Sequence, residues 1–142
     1  MVQEIKEEDL YPVVTSAERF KGNLFFHQVP VADWTECTKR IDLITLEDGK
    51  VVAIELKVSD WRDAFHQAFR NLFASDLSFV ALWHRHFRSL DRSMFEKCGV
   101  GLIELNGTAR VMIQARNSQL TIPERREYLL TQCLPERVYQ KS

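Results

Sequence analysis

Asp42, Glu55 and Lys57 are the residues on which chemistry could rest. Two runs rich in Val, Ile and Leu, residues 40–46 and 51–58, flank Glu47-Asp48-Gly49-Lys50. An Asp-Gly between two such runs is a strong hairpin signal. A turn centred on Asp48-Gly49 pairs residues equidistant from it, which puts Asp42 opposite Glu55. Directly opposed side chains have Cβ atoms about 4.5–5.5 Å apart, and two like charges there are destabilising unless something neutralises them. A divalent cation would do so, and carboxylate oxygens suit Mg²⁺ or Mn²⁺. Side-chain alternation brings Lys57 out on the face of Glu55 and turns Ile41, Leu43, Ile54 and Leu56 to the other. An acid pair, a cation and a lysine that orients or helps deprotonate water are the parts of a metal-assisted in-line hydrolysis at phosphorus. The competing reading is that these three residues decorate the solvated face of an antiparallel hairpin. Against it, the same face carries Ile44, Leu46, Val51 and Ala53 and is largely apolar.

The surrounding elements must hold that patch in place. Leu10, Val13, Val14 and Ala17 recur at helical spacing, with Asp9 as a cap, Pro12 in the first turn and Gly22 as a stop, so a helix is expected there. Residues 24–31 read as a strand, followed by a polar loop through Asp33, Thr35 and Thr38. After the hairpin, Asp60 can cap a helix with Asp63 at the capping-box position. Trp61, Ala64, Phe65, Ala68, Phe69, Leu72 and Phe73 give this helix one wide apolar face that requires a sheet to pack on. Residues 77–83 form a nearly unbroken apolar strand, as expected of one covered on both faces. A short helix over 92–97 ends at Gly99. A second hairpin, 100–105 with 109–115, turns at Asn106-Gly107, and Pro123 opens a terminal helix to Leu134.

The 142 residues suit one domain, 1–142, able to bury roughly two-thirds of its unfolded surface. Apolar residues make up 45% and charged residues 27%, close to globular averages. The acidic start at Glu4 is unlike a signal peptide and no apolar run approaches bilayer length, so a soluble, cytoplasmic protein without membrane contact is expected. Cys37, Cys98 and Cys133 are widely spaced and read as reduced thiols. A net charge of −1 gives no long-range field for nucleic acid, so any such contact is local. The run from His84 to Arg92 is the densest basic stretch and reads either as a solvated loop or as a phosphate contact.

Arg40-Ile41-Asp42-Leu43-Ile44, a hairpin turn, Ile54-Glu55-Leu56-Lys57 and then Trp61 to Ala68 resemble the PD-(D/E)xK nuclease superfamily. The order helix, strand, hairpin, helix, strand is that family's common core. The resemblance implies an α/β, restriction-endonuclease-like fold, a mixed sheet flanked by helices, with Mg²⁺- or Mn²⁺-dependent cleavage of DNA, or in some members RNA. On this resemblance Asp42 and Glu55 match the metal ligands and Lys57 the catalytic lysine. Glu18 matches an acid that some members add to the metal site, although a surface Glu fits its position equally. Gln67 matches a glutamine placed beside the site, with an ordinary helix-edge Gln as the alternative. Ile41 stands where the motif has proline, and Asn71 where an exonuclease-like branch carries tyrosine, so that branch is not supported. One site per chain means that a double-strand or symmetric junction cut needs a homodimer or repeated nicking.

Two other functions compete. The fold could serve as a non-catalytic nucleic-acid-binding or assembly module, or the acid pair could act as in glycosidases, where Glu-x-Lys has no natural role. His84 and His86 could share a strand face but lack a third ligand. His27 and His66 read as structural or solvent-facing, and Trp34, Trp61 and Trp83 as packing rather than base-stacking residues. Substrate preference, endo- or exonucleolytic action and pathway are not encoded in these motifs.

Overall fold

The computed structural model describes residues 5–31 and 39–134. The loop residues Asp33, Thr35 and Thr38, with Trp34 and Cys37, fall outside them. At the centre of the molecule is the hairpin of β2 (Lys39–Glu47) and β3 (Lys50–Lys57). Glu47 pairs with Lys50 and Leu43 with Ile54. Only Asp48 and Gly49 lie between the strands, at φ of 50° and 79°. Two successive positive φ values are what a type I′ turn requires, and its twist matches that of the strands it joins.

The hairpin is extended on one side by β1 (Phe25–Val31), antiparallel to β2. On the other side β4 (Leu77–Trp83) and β5 (Gly101–Asn106) run parallel to β3, and β6 (Thr108–Ile113) closes the sheet antiparallel to β5. The six strands lie in sequence order. Each parallel joint needs a crossover. α2 (Trp61–Asn71) supplies the first and α3 (Arg92–Cys98) the second. Asp60 starts α2 by accepting the Asp63 N–H at 3.2 Å, the bond expected of an N-cap. Gly99 ends α3 at φ 78°.

One face of the sheet is covered by α2, α3 and α4 (Pro123–Cys133). Trp61, Phe65 and Ala68 pack with Val80, Leu82 and Phe95, while Leu129 and Leu130 pack with Ile44, Val51 and Ala53. Each large side chain so buried contributes roughly 1.5–3 kcal/mol. The N-terminal segment covers the other face, with Leu10, Val14, Ala17 and Phe20 against Leu43, Ile54, Phe79 and Ile103.

Three expectations are corrected. The helix expected over Leu10–Ala17 is reduced to α1 (Tyr11–Thr15) between two 3₁₀ turns, Glu7–Asp9 and Glu18–Phe20. The Ser16 N–H keeps its helical bond to the Pro12 carbonyl, which the Ser16 hydroxyl shares at 2.6 Å, and the helix stops where Ala17 is extended at ψ 141°. The second hairpin turns on Gly107 alone, with Asn106 paired to Thr108 and a register shift at Leu102 and Ile103. Ile41 does not share a cluster with Leu43. It packs with Val29, Ile44 and Leu130, so strict alternation along β2 fails at Asp42. Among the described residues no helix is long and apolar enough to cross a membrane, and Cys98 and Cys133 are free thiols.

Candidate active site

The break in β2 is where the chemistry-bearing residues meet. Ladder pairing with β3 stops at Leu43 and Ile54, one step before Asp42 and Glu55. There a side chain takes over from the backbone: Asp42 Oδ2 accepts the Leu56 N–H at 2.9 Å. On the other flank, Gln28 sits between the pairs His27–Leu43 and Val29–Ile41 with φ 51°, a left-handed conformation uncommon outside glycine. Its amide donates to Asp42 Oδ1 at 3.3 Å and to the Tyr11 hydroxyl at 2.6 Å. Tyr11 in turn stacks on His27. Its phenol is pushed up to about 12, by burial first and then by the nearby Asp42.

Glu55 lies on a central strand and is only 2% exposed. Its carboxylate meets that of Asp42, and Asn71 of α2 donates to its Oε1 at 3.2 Å. Burial, the Asp42 charge and the hydrogen bond shared with Asp42 push the Glu55 carboxyl up to about 9, against the opposing pull of Asn71. An acid pair in this condition holds either a proton or a cation between its members. Lys57, two residues on, points its Nζ at Asp63 Oδ2, 3.1 Å away. Burial works to lower the lysine's pKa, but the Asp63 bond and the charges of Glu7 and Asp42 leave it raised. Gln67 completes this branch by donating to Asp63 at 3.2 Å.

These groups open into one cleft of about 730 Å³. Asp42, Glu55, Lys57 and Gln67 all line it. Glu18 does not. Because α1 stops at Thr15, Glu18 is an exposed residue of the following 3₁₀ turn, and its neighbour Arg19 pairs with Glu47 at the turn end of the hairpin. The N-terminal acid that does line the cleft is Glu7, whose carboxyl is raised by burial against the attraction of Lys57. Nothing in the Glu7-Glu8-Asp9 run distinguishes Glu7, since its placement depends on a long-range packing contact. Asn71 was legible as the residue one helical turn beyond Gln67. Asp63 was legible only as a cap partner.

Among the described residues no three His, Cys, Asp or Glu side chains converge as a ready metal cluster. The donor set is the Asp42–Glu55 pair. Mg²⁺ is commonly held by one or two carboxylates, with water and substrate phosphates completing its shell, so two contacting carboxylates beside an open cleft fit such an ion.

No family model and no curated protein matches the chain. Among solved structures it is similar to a protein of unknown function from Silicibacter pomeroyi, with a TM-score of 0.66 and 20% identity. The match covers 97% of this chain and 90% of that one. At that identity the similarity speaks for the fold alone, which among the described residues is an α/β fold built on a mixed six-stranded sheet with four α-helices.

Proposed function

We propose that this chain is a restriction-endonuclease-like, divalent-metal-dependent nuclease that hydrolyses phosphodiester bonds in DNA. One observation carries the reading: a buried glutamate meets an aspartate at a break in the sheet, and among the described residues no cationic side chain pairs with either. Structural ion pairs do not leave two acids in that state, because an uncompensated buried charge is strongly destabilising. Function explains its retention.

Asp42 and Glu55 would hold the Mg²⁺ or Mn²⁺. When bound, the ion supplies Lewis acidity at the scissile phosphate and charge to offset the acid pair. Asp42 is oriented for this by the Leu56 N–H and the Gln28 amide, and Glu55 by Asn71. Lys57 stays protonated because Asp63 and Glu7 stabilise its charge. It therefore acts as a fixed cation that binds a phosphate oxygen and positions water, rather than as the base that removes the water's proton. Gln67 holds Asp63, which holds Lys57, so Gln67 is a positioning residue. In the overall reaction water adds to phosphorus, one ester P–O bond breaks and the departing oxygen takes up a proton.

The test is cleavage of labelled single-stranded, duplex, flapped and four-way-junction DNA, and of RNA, with Mg²⁺ or Mn²⁺. The expected result is cutting that EDTA abolishes and that Asp42→Ala and Lys57→Ala both lose. Equal behaviour of all three proteins would overturn the catalytic assignment and favour a binding or assembly module on the same fold.

A further inference from the structure

The cleft is lined by the acid pair on the sheet and also by residues where α2 ends and α4 begins, its far end. Arg70 lies in the last turn of α2, Phe73 just past it, Ile122 at the cap of α4 and Arg125 in its first turn. Lys39, Arg40 and Lys57 add cationic lining on β2 and β3. Phe73 and Ile122 form an apolar ledge fixed by a backbone bond, with the Ile122 N–H donating to the Phe73 carbonyl at 2.8 Å. Phe73 is held edge-on against Phe69 and remains partly exposed.

The two arginines are unspent. Arg70 is exposed and makes no ion pair among the described residues. Arg125 is half-buried, and its Nε is fully buried without a hydrogen-bond partner among the described residues. A buried donor left unsatisfied costs about 1–3 kcal/mol, and no acceptor among the described residues holds this guanidinium nitrogen in place, while Arg125 itself lines the cleft. Its neighbour Arg126 shows the contrast, since its guanidinium is satisfied by Asp76 and the Gly49 carbonyl.

Guanidinium groups match phosphate geometry better than any other side chain, and an aromatic or branched apolar surface accepts the face of a base. At about 730 Å³ the cleft has the size of a small-ligand pocket rather than of a groove that holds a double helix.

We infer that the far end of the cleft is a subsite for an unpaired nucleotide of the substrate strand, with its phosphate on Arg70 and Arg125 and its base on the Phe73–Ile122 ledge. This rests on the nuclease reading and deepens it: the substrate class becomes single-stranded or frayed nucleic acid, entering along α2 towards Asp42 and Glu55. Arg70, Arg125 and Phe73 bind substrate and take no part in the bond-breaking step.

The experiment is fluorescence anisotropy of a short labelled single-stranded oligonucleotide and of the same sequence as a blunt duplex, in EDTA, so that cleavage cannot enter. The single strand should bind the full chain more tightly than the duplex. Arg70→Gln and Arg125→Gln should each weaken that binding about tenfold and lower the salt slope by about 0.7. Phe73→Ala should weaken it with the slope unchanged, and Arg125→Lys should recover part of the loss. Arg70 is exposed, so its replacement keeps the test decisive if the Arg125 variant folds poorly. Equal binding by the wild type and Arg70→Gln, or tighter binding of the blunt duplex, would overturn the subsite. The two readings fail separately: a protein that binds as described in EDTA but never cuts with metal would retain the subsite and lose the nuclease, whereas one that cuts with metal while wild type and Arg70→Gln bind alike would lose the subsite alone.

Discussion

The two ends of the β2–β3 hairpin carry the same number of strands and opposite electrostatics. At the turn end, Glu47 pairs with Arg19, and Asp76 accepts from both the Val51 N–H and the Arg126 guanidinium. Arg126 also caps the Gly49 carbonyl at 2.8 Å, tying α4 to the turn. The Arg19 guanidinium holds the Glu47 carboxyl below the usual range. At the open end two acids face each other, the nearest lysine is turned towards Asp63, and Glu55 is driven in the opposite direction, up to about 9. One end is compensated and therefore structural. The other is left uncompensated in a cleft, the condition that marks a site held ready for something the chain does not itself contain.

The contrast breaks most sharply in activity. Asp42→Ala or Lys57→Ala should reduce metal-dependent cleavage by about 10²–10³-fold or more, in rate assays under saturating Mn²⁺. Arg19→Ala, at the compensated end, should cut at the wild-type rate. If both ends mattered equally to cleavage, the division drawn here would be wrong.

Stability should split the other way. Between the ordinary glutamate value of about 4.3 and about 9, the folded protein holds a Glu55 proton that the unfolded chain has released. Without metal, that contribution is full below the lower value and is lost as pH rises through the window. Urea melts in EDTA should therefore show stability falling from pH 5 to pH 9. Glu55→Gln should flatten the decline and be more stable than wild type at pH 8 by roughly 1–4 kcal/mol. Wild-type stability that rises across this range would remove the buried-acid account.

Substitutions at the turn end should cost stability and nothing else. Arg126→Ala removes charge-assisted bonds to Asp76 and Gly49 from a site about three-quarters buried, and should cost about 1–2 kcal/mol in the same melts. The Arg19–Glu47 pair, buried to the same degree but joined by a single bond, should contribute less, under about 1 kcal/mol on Arg19→Ala.

How much of this could be read from the chain follows the range of the interactions involved. Asp48-Gly49 fixes a two-residue turn by local backbone preference, so the register that brings Asp42 to Glu55 and the face that carries Lys57 were legible. The cap at Asp60 and the doubly covered β4 were legible for the same local reason. The break at Asp42 was not, because it depends on the Leu56 N–H and on Gln28, fourteen residues away in sequence on either side. Periodicity over Leu10–Ala17 promised a continuous helix, but the chain turns extended at Ala17. That early stop leaves Glu18 outside the cleft, while Glu7 reaches it from a stretch whose sequence shows only charge.

The most direct test of the central claim is Mn²⁺ binding followed by the loss of the free-ion electron paramagnetic resonance signal at pH 8, for wild type, Asp42→Asn and Arg19→Ala. The uncompensated acid pair predicts uptake of Mn²⁺ by wild type and Arg19→Ala, accompanied by proton release from Glu55, and little uptake by Asp42→Asn. Equal uptake by all three proteins, or none by the wild type, would contradict the claim that Asp42 and Glu55 form a metal site.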